Sequence, residues 1–343
     1  MKLSFDTEFI QASFISPSGV KLQHDIEIRT NPITFRTCRI TYARLKEKDP
    51  GTAKLPPKPP EADNQEGCPF CHPQLLERTP QIHPDLYPNG RIGEGDSVLF
   101  PNLFPYGKYS AVSLFDNNHF VEIGKASLQS YVNSLKNCSV YLKKVLEFDR
   151  QAIHMAITQN HLPSAGGSLV HPHFQIQADK IPSNHHRFLK KRAAQYFQDT
   201  GRLLFSDYLD FEKKEGSRCI GKTGDWEWMA SFAPEGFFEL WAILPGKFSI
   251  TRLSDTSWKD LARGILNAQR FYRSLSRNGY NLGILSIESK PDPLLELRCV
   301  MLVRSNYTPW ARNDHTGFEV MLGDMATFTS PEETAQNARR FWE

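Results

Sequence analysis

No apolar run of 18 residues occurs anywhere in the 343-residue chain, so no segment is suited to span a membrane as a helix. Net charge is also scarce: a formal +3 is too small to imply a nucleic-acid groove. The basic stretch "FLKKRAAQYF" reads as one polar face of a helix. Cysteine is limited to positions 38, 68, 71, 138, 219 and 299, with one close pair, which argues for a reducing compartment rather than a disulfide framework. The opening "MKLSFDTEFIQASF" has acidic residues where a secretory leader needs an apolar stretch, so a cytoplasmic location is expected. Neither a membrane nor a nucleic acid is expected as a partner.

What remains is an ordinary globular composition, 40% hydrophobic and 23% charged, in a chain long enough for two domains. Short strands are expected up to about residue 48, as in "VKLQHDIEIRT" and "TCRITYARL". The polar, proline-rich "KDPGTAKLPPKPPEADNQEG" lacks apolar periodicity and reads as a loop. "DSVLFPNLFPYGKYSAVSLF" contains two β-rich runs, and residues 126–149 carry apolar positions at helical spacing. "AIHMAITQN" reads as a strand, followed by a Gly-rich turn and a further strand. The order then repeats: strands in "EWMASFAPEGFFELWAILPG", a long helix in "TSWKDLARGILNAQRFYRSLSRNG", and strands in "NLGILSIES" and "ELRCVMLVRS". Two related α+β halves follow from that repeat.

Chemistry concentrates in "SAGGSLVHPHFQIQA", residues 164–178. Residues two apart share one face of a strand, so His171, His173 and Gln175 should project together, with Val170, Phe174 and Ile176 on the other side. Pro172 cannot donate to a ladder, which places the strand at an edge there. Gly166 and Gly167 would let backbone N–H groups approach an anion. A neutral imidazole is nucleophilic near pH 7 without a separate base, so a histidine beside such amides suits attack on phosphorus. An isolated H-x-H is more often a metal site or a packed pair; the adjoining Gly-Gly and the glutamine in register favour chemistry.

"GCPFCHP" admits four readings: a haem attachment site, a redox dithiol, half of a zinc site, or two unrelated buried cysteines. The first needs an exported protein, and the second needs a strand before it rather than a polar loop. Half of a zinc site, with two further ligands from elsewhere in the chain, fits better than the fourth.

Together these segments resemble galactose-1-phosphate uridylyltransferase and the wider histidine-triad nucleotidyltransferase superfamily. "NPITFRTCRITYARLKEK" resembles the family's N-P-L-T-G segment and the basic stretch after it. "CPFCHPQLLERTPQI" resembles C-P-F-C-x-G-N-E-x-x-T-P, and "FPNLFP" resembles N-D-F or N-x-F-P. "FDNNHFVEI" resembles the D-H segment before the long helix. "NHLPSAGGSLVHPHFQIQA" resembles N-x-G-x-x-A-G-A-S-x-x-H-P-H-x-Q, and "GFEVMLGDMATFTSPEETAQNAR" resembles the C-terminal G-F-E-M-L and T-x-E-x-A-A elements.

The resemblance implies an α+β fold of two histidine-triad-like halves, 1–200 and 201–343, each an antiparallel sheet with a long packed helix. The first half would hold the metal and the nucleophile, the second the acceptor side. It implies that His173 is the catalytic nucleophile and that Gln175 bonds the phosphoryl oxygens. Asn102, Asn160, Gly167, Ser168 and Arg44 would bind nucleotide and phosphates, and Phe318 and Glu319 the acceptor. Cys68, Cys71, His119 and His171 would hold a structural zinc. The implied partners are a nucleotide sugar and a sugar phosphate, and a homodimer is expected.

The implied reaction is ping-pong transfer of UMP between UDP-hexose and a hexose 1-phosphate through a nucleotidyl-histidine. Departures qualify it. Leu103 replaces the aspartate of N-D-F, which opens the alternative of adenylyl transfer, or of phosphorolysis of an ADP-sugar or dinucleoside polyphosphate. The second metal site of some relatives is expected to be absent, because "ELRCVMLVRS" lacks histidine and "IPSNHHRFLKK" lacks glutamate. The acceptor-side lysine falls near Asn313 or Asp314. His185, His186 and His315 match nothing in the family and are read as solvated.

Overall fold

A computed structural model describes residues 2–42, 54–289, 294–308 and 314–343. The chain begins with β1 (Thr7–Ile15), β2 (Lys21–Thr30), β3 (Thr37–Thr41), a short α1 (Gln74–Arg78), β4 (Ile92–Glu94), β5 (Ser97–Pro101) and β6 (Tyr109–Leu114). Then come α2 (Leu128–Phe148), β7 (His154–His161), β8 (His173–Asp179), α3 (Asn184–Thr200) and α4 (Leu204–Glu215). The remainder holds β9 (Cys219–Thr223), β10 (Trp226–Ala230), β11 (Phe237–Leu244), α5 (Asp255–Ser274), β12 (Gly279–Ile287), β13 (Leu297–Arg304), β14 (Met325–Thr327) and α6 (Pro331–Arg339).

The α+β class expected from the sequence is the class observed, with one difference in how the sheets are divided. Strands β4-β5-β6-β8-β7 and β12-β13-β11-β10-β9 do not form two sheets. They join through β7 and β12 into one ten-stranded antiparallel sheet, in register from Tyr280 opposite His161 to Ile287 opposite His154. The N-terminal strands make a second, four-stranded sheet, β1-β2-β3-β14, closed by a parallel strand from the C-terminal region.

Pleating gives the large sheet two faces with different cover. Phe174, Ile176, Met155, Ile157, Ile284, Cys299 and Met301 are buried on one face, against α2 and α5. Both helices start where a serine accepts a backbone N–H one turn on: Ser127 from Ser130 and Ser254 from Ser257. On the opposite face, Trp241 and Ile243 pack with Leu189 of α3 and with Leu204, Phe205 and Tyr208 of α4. Helix α4 was not anticipated, although Leu204, Phe205, Tyr208 and Leu209 have the helical spacing that marks a buried stripe. This second face is only partly covered, and the candidate site lies on it.

Candidate active site and metal cluster

The H-P-H segment differs from the expected strand at its start. β8 begins at His173, so His171 lies in the preceding turn. The strand is internal, between β6 and β7, and Pro172 sits just outside it, where its carbonyl accepts from the Phe115 N–H at 3.2 Å. A proline at a strand entrance removes no ladder bond, so an edge is not required. Phe174 and Ile176 face the helix-side core, as the alternation predicts.

His171 turns to meet Cys68, Cys71 and His119. All four are buried, and their ligand atoms lie within 4.8 Å of one another. The His171 Nδ1 is 3.8 Å from Cys68 Sγ and 3.5 Å from Cys71 Sγ, and the His119 Nδ1 is 3.3 Å from Cys71 Sγ. Tetrahedral zinc with ordinary Zn–S and Zn–N bonds has ligand-to-ligand edges of about 3.5 Å. The far ring nitrogens fix the tautomers: His119 Nε2–H donates to the Glu61 carbonyl at 2.9 Å and His171 Nε2–H to that of Asp116 at 3.2 Å. Each Nδ1 lone pair is thereby aimed at the thiols, the arrangement that orients metal-binding histidines. Burial, reinforced by neighbouring Cys68, pushes the Cys71 thiol up to about 12, so two thiolates here require a cation. Burial likewise lowers His171 to about 4 and keeps it a neutral ligand.

His173 is buried directly behind this cluster. Its Nδ1 lies 2.7 Å from the His171 carbonyl oxygen, which can only accept, so Nδ1 carries the proton and Nε2 presents a lone pair. Burial lowers its pKa, which favours the neutral, nucleophilic ring. Phe70, inside the C-P-F-C turn, stands edge-on to both rings, 5.4 Å from that of His173 and 6.0 Å from that of His171. It also packs with Leu75, Phe100, Val112 and Leu114, a small apolar cluster that pins the cysteine turn onto the sheet. Phe70 was not singled out from the sequence; its place between the two cysteines was the available signal.

Gln175 and Thr158 are cross-strand partners on the same open face, and continuing that register places Asn160 opposite His173. Asn160 Oδ1 accepts from Asn281 Nδ2 at 2.7 Å, and the same amide donates to the Ala165 carbonyl at 2.8 Å. Arg304 then donates to Asn281 Oδ1 at 2.7 Å and forms a two-pronged bond with Asp314. Asp314, at the position where the family's acceptor lysine was sought, is therefore engaged internally. Asn281 and Arg304 had no signature in the sequence, because only the pairing of β7 with β12 brings them to the turn.

The glycine pair acts differently from the expectation. Gly166 N–H donates to the Pro163 carbonyl and Gly167 N–H to that of Leu162, so both amides close the turn rather than face outward. Gly167 is needed for close approach: a Cβ there would lie 2.9 Å from the Asn160 carbonyl oxygen. Ser168 follows and is exposed. Asn102 ends β5 in a local turn, its Oδ1 accepting from Phe104 N–H at 3.0 Å, beside exposed Leu103, Phe104 and Tyr106.

Three expectations fall elsewhere. Arg44 lies outside the described residues. Phe318 and Glu319 sit beside the four-stranded sheet, with Phe318 under the Arg39 guanidinium and Glu319 accepting from Thr316 N–H. Among the described residues they make no hydrogen bond or ring contact with the histidine cluster. His186 is buried rather than solvated, held by Ser183 Oγ and by the Met155 carbonyl, whereas His185 and His315 are exposed.

No protein-family model matches the chain. An uncharacterized protein of Archaeoglobus fulgidus is 28% identical over 334 residues, 97% of each chain. An ADP-glucose phosphorylase from Arabidopsis thaliana, solved with ADP-glucose bound, superposes with a TM-score of 0.70 at 18% identity, over 92% of this chain and 98% of its own. A solved uridylyltransferase superposes with a TM-score of 0.66 at 19% identity, over 92% and 98%. The chain has the galactose-1-phosphate uridylyltransferase fold. Within that fold, the Cys2His2 quartet and His173 occupy one end of the open sheet face.

Proposed function

We propose that the protein is a nucleotidyltransferase that works by ping-pong exchange through a nucleotidyl-histidine at His173. The observation that carries this reading is the Nδ1–H bond to the His171 carbonyl, which commits the Nε2 lone pair of a neutral ring to the open face. Nε2 attacks the α-phosphorus of a nucleoside diphosphate sugar; the N–P bond forms, the P–O bond to the sugar phosphate breaks, and sugar 1-phosphate leaves. A phosphate oxygen of the acceptor then attacks the same phosphorus and frees the histidine. Phosphate is a weak base, so the leaving group needs little protonation, and the protein supplies mainly position and charge stabilisation. Gln175, Ser168, Asn160 and Arg44 are assigned to the phosphates and nucleotide, with Gly167 shaping the turn that carries Ser168, and Asn102 to the base pocket.

Zinc at Cys68, Cys71, His119 and His171 is part of this proposal, in a structural role: it would lock the turn whose carbonyl sets the tautomer of His173. The two halves, 1–200 and 201–343, act as the nucleophile side and the acceptor side. Phe318 and Glu319 lie in a short helical turn beside the four-stranded sheet, away from the histidine cluster, which fits a homodimer in which they serve the partner's site. A cytoplasmic location belongs to the same reading.

UMP transfer between UDP-hexose and hexose 1-phosphate is the first form of this reaction. Adenylyl transfer or phosphorolysis is the second, favoured by apolar, exposed Leu103 where an aspartate would read uracil, and by the ADP-glucose phosphorylase that shares the fold. Initial-rate measurements with UDP-glucose and with ADP-glucose, each against a sugar 1-phosphate and inorganic phosphate, test both forms. Parallel double-reciprocal lines with one donor identify the base and the ping-pong order. Intersecting lines with both donors contradict a covalent intermediate.

A further inference from the structure

On the helix-covered side of the large sheet, a cavity of about 450 Å³ opens between the start of α2, α5 and the C-terminal residues Phe341 and Trp342. Small-molecule sites run to about 300–1,000 Å³. Its rim includes the turn between β9 and β10, and β9 is an edge strand, six strands along the sheet from β8. At about 4.8 Å per strand that is about 29 Å, and His173 addresses the opposite face, so a ligand of the nucleophile does not extend here. The apolar side is closely fitted. Trp342 is seated on Trp228, ring centroids 5.3 Å apart, and a Cβ on Gly221 would lie 2.9 Å from the Trp342 Cβ, so that glycine lets the C-terminal segment close over β9. Leu128 and Leu266 complete this side.

The polar side presents donors. Leu128 is the first residue of α2, whose first turn carries no acidic residue, so the positive end of a 21-residue helix stands uncompensated at the cavity. Asn267 is only 7% exposed; its Oδ1 accepts from Arg270 Nη1 at 3.1 Å, while its Nδ2 makes no hydrogen bond among the described residues. That nitrogen is not sealed from solvent and stays open to the cavity, so an acceptor from outside the chain can reach it. An amide donor held in a buried side chain without an acceptor is costly. The Asn267–Arg270 bond also sets amide and guanidinium side by side, two neighbouring N–H groups that suit the two oxygens of a carboxylate.

Charge sets how negative the occupant can be. Lys222 is paired with Glu227 at 2.7 Å and Arg263 with Asp260 at 3.1 Å, whereas Arg270 forms no ion pair among the described residues. Glu343, exposed on the rim, is the one acid in the wall and opposes a multiply charged anion. One uncompensated cation therefore suits one negative charge rather than the two of a phosphate ester. Donors on one side and apolar surface on the other suit an anionic head joined to an apolar body.

We infer that this cavity is a second binding site, for a monocarboxylate with a compact apolar body, its carboxylate held by Arg270, Asn267 and the N-terminus of α2. It stands on the cavity alone and is independent of the nucleotidyl-transfer reading. Calorimetric titration of the intact, zinc-loaded protein with phenylacetate tests it, with acetate, benzyl alcohol and inorganic phosphate as comparison probes. Saturable binding of phenylacetate is expected, tighter by about tenfold or more than acetate, which lacks the body, or benzyl alcohol, which lacks the charge. Arg270→Met and Asn267→Leu should each weaken it about tenfold or more. The His173→Gly variant should bind phenylacetate like wild type, which separates this site from the active site. Arg270 is exposed, so Arg270→Met should keep the wild-type melting temperature; Arg270→Lys, which keeps the charge without the paired donors, takes its place if that temperature falls. The assignment is overturned if phenylacetate does not saturate, if any comparison probe binds as tightly, if His173→Gly abolishes binding, or if the folded Arg270 variant binds like wild type.

Discussion

The two five-stranded halves of the main sheet put different chemistry on the same face. In the first half, soft ligands meet in a closed quartet, and a histidine next to it is held in one tautomer by a backbone carbonyl. In the second half, the corresponding area carries Arg298, Glu235 and Glu239 around an open cavity. In the first half a histidine is held by the carbonyl of a cluster residue, whereas in the second the Arg298 guanidinium is stacked on Trp241 with Nη1 lacking a partner. Asn160 and Asn281, one from each half, are bonded to each other where the two regions meet.

The largest effect should come from removing the reactive member of the first half. His173→Gly should lower turnover by about 10³-fold or more, while zinc content by elemental analysis and the melting temperature stay at wild-type values. Next, His171→Ala should remove the metal and destabilise the fold by about 3 kcal/mol or more, read by elemental analysis together with denaturant unfolding. Equal stability of the two variants would erase the distinction between reactive and structural histidine.

A stability effect of similar size is expected far from the site. Arg29 donates to Glu27 at 2.6 Å and to both oxygens of Glu332, bridging β2 to α6. Arg29→Met leaves Glu27 with only the Tyr42 hydroxyl and Glu332 with only Arg218, and should cost about 3 kcal/mol in urea unfolding without changing the rate of histidine modification. Loss of that rate would mean that the small sheet is coupled to the active site.

Acid provides a subtler comparison. Burial, then the charge of His173, lowers His161 to about 4, so the folded state keeps this ring neutral where the unfolded chain protonates it near 6.5. The unfolded state binds more protons between those values, so this contribution is complete above pH 6.5 and is lost as pH falls towards 4. At pH 4.5 the loss amounts to about 2.5 kcal/mol, and His161→Phe should flatten the acid limb of a melting-temperature profile by a corresponding amount. The smallest effect is kinetic: Phe70→Ala should slow modification of His173 about tenfold with metal retained, because the ring that braces both histidines is gone.

Much of this was legible before the fold was known. Periodicity located α2 and α5 to within two residues at most ends, because both bury a broad apolar stripe and start at a serine cap. Alternation identified β7, β8, β12 and β13. The quartet was legible only by resemblance, since Cys71 is 48 residues from His119 and 100 from His171 in sequence. What local pattern could not carry was pairing: the union of β7 with β12, the bond between Asn160 and Asn281, and the Arg304 support are all consequences of long-range register. The same limit explains the glycines, whose amides are used by a turn invisible to composition, and His186, whose burial depends on α3 docking over β7 and β12.

The central claim is a covalent bond to His173. Intact-protein mass spectrometry after brief incubation with UDP-glucose, ADP-glucose or a dinucleoside polyphosphate measures it directly. The account predicts a gain of one UMP or one AMP with at least one donor, and no gain in His173→Gly. An adduct that survives in His173→Gly, or no adduct with any of the three donors, would contradict it.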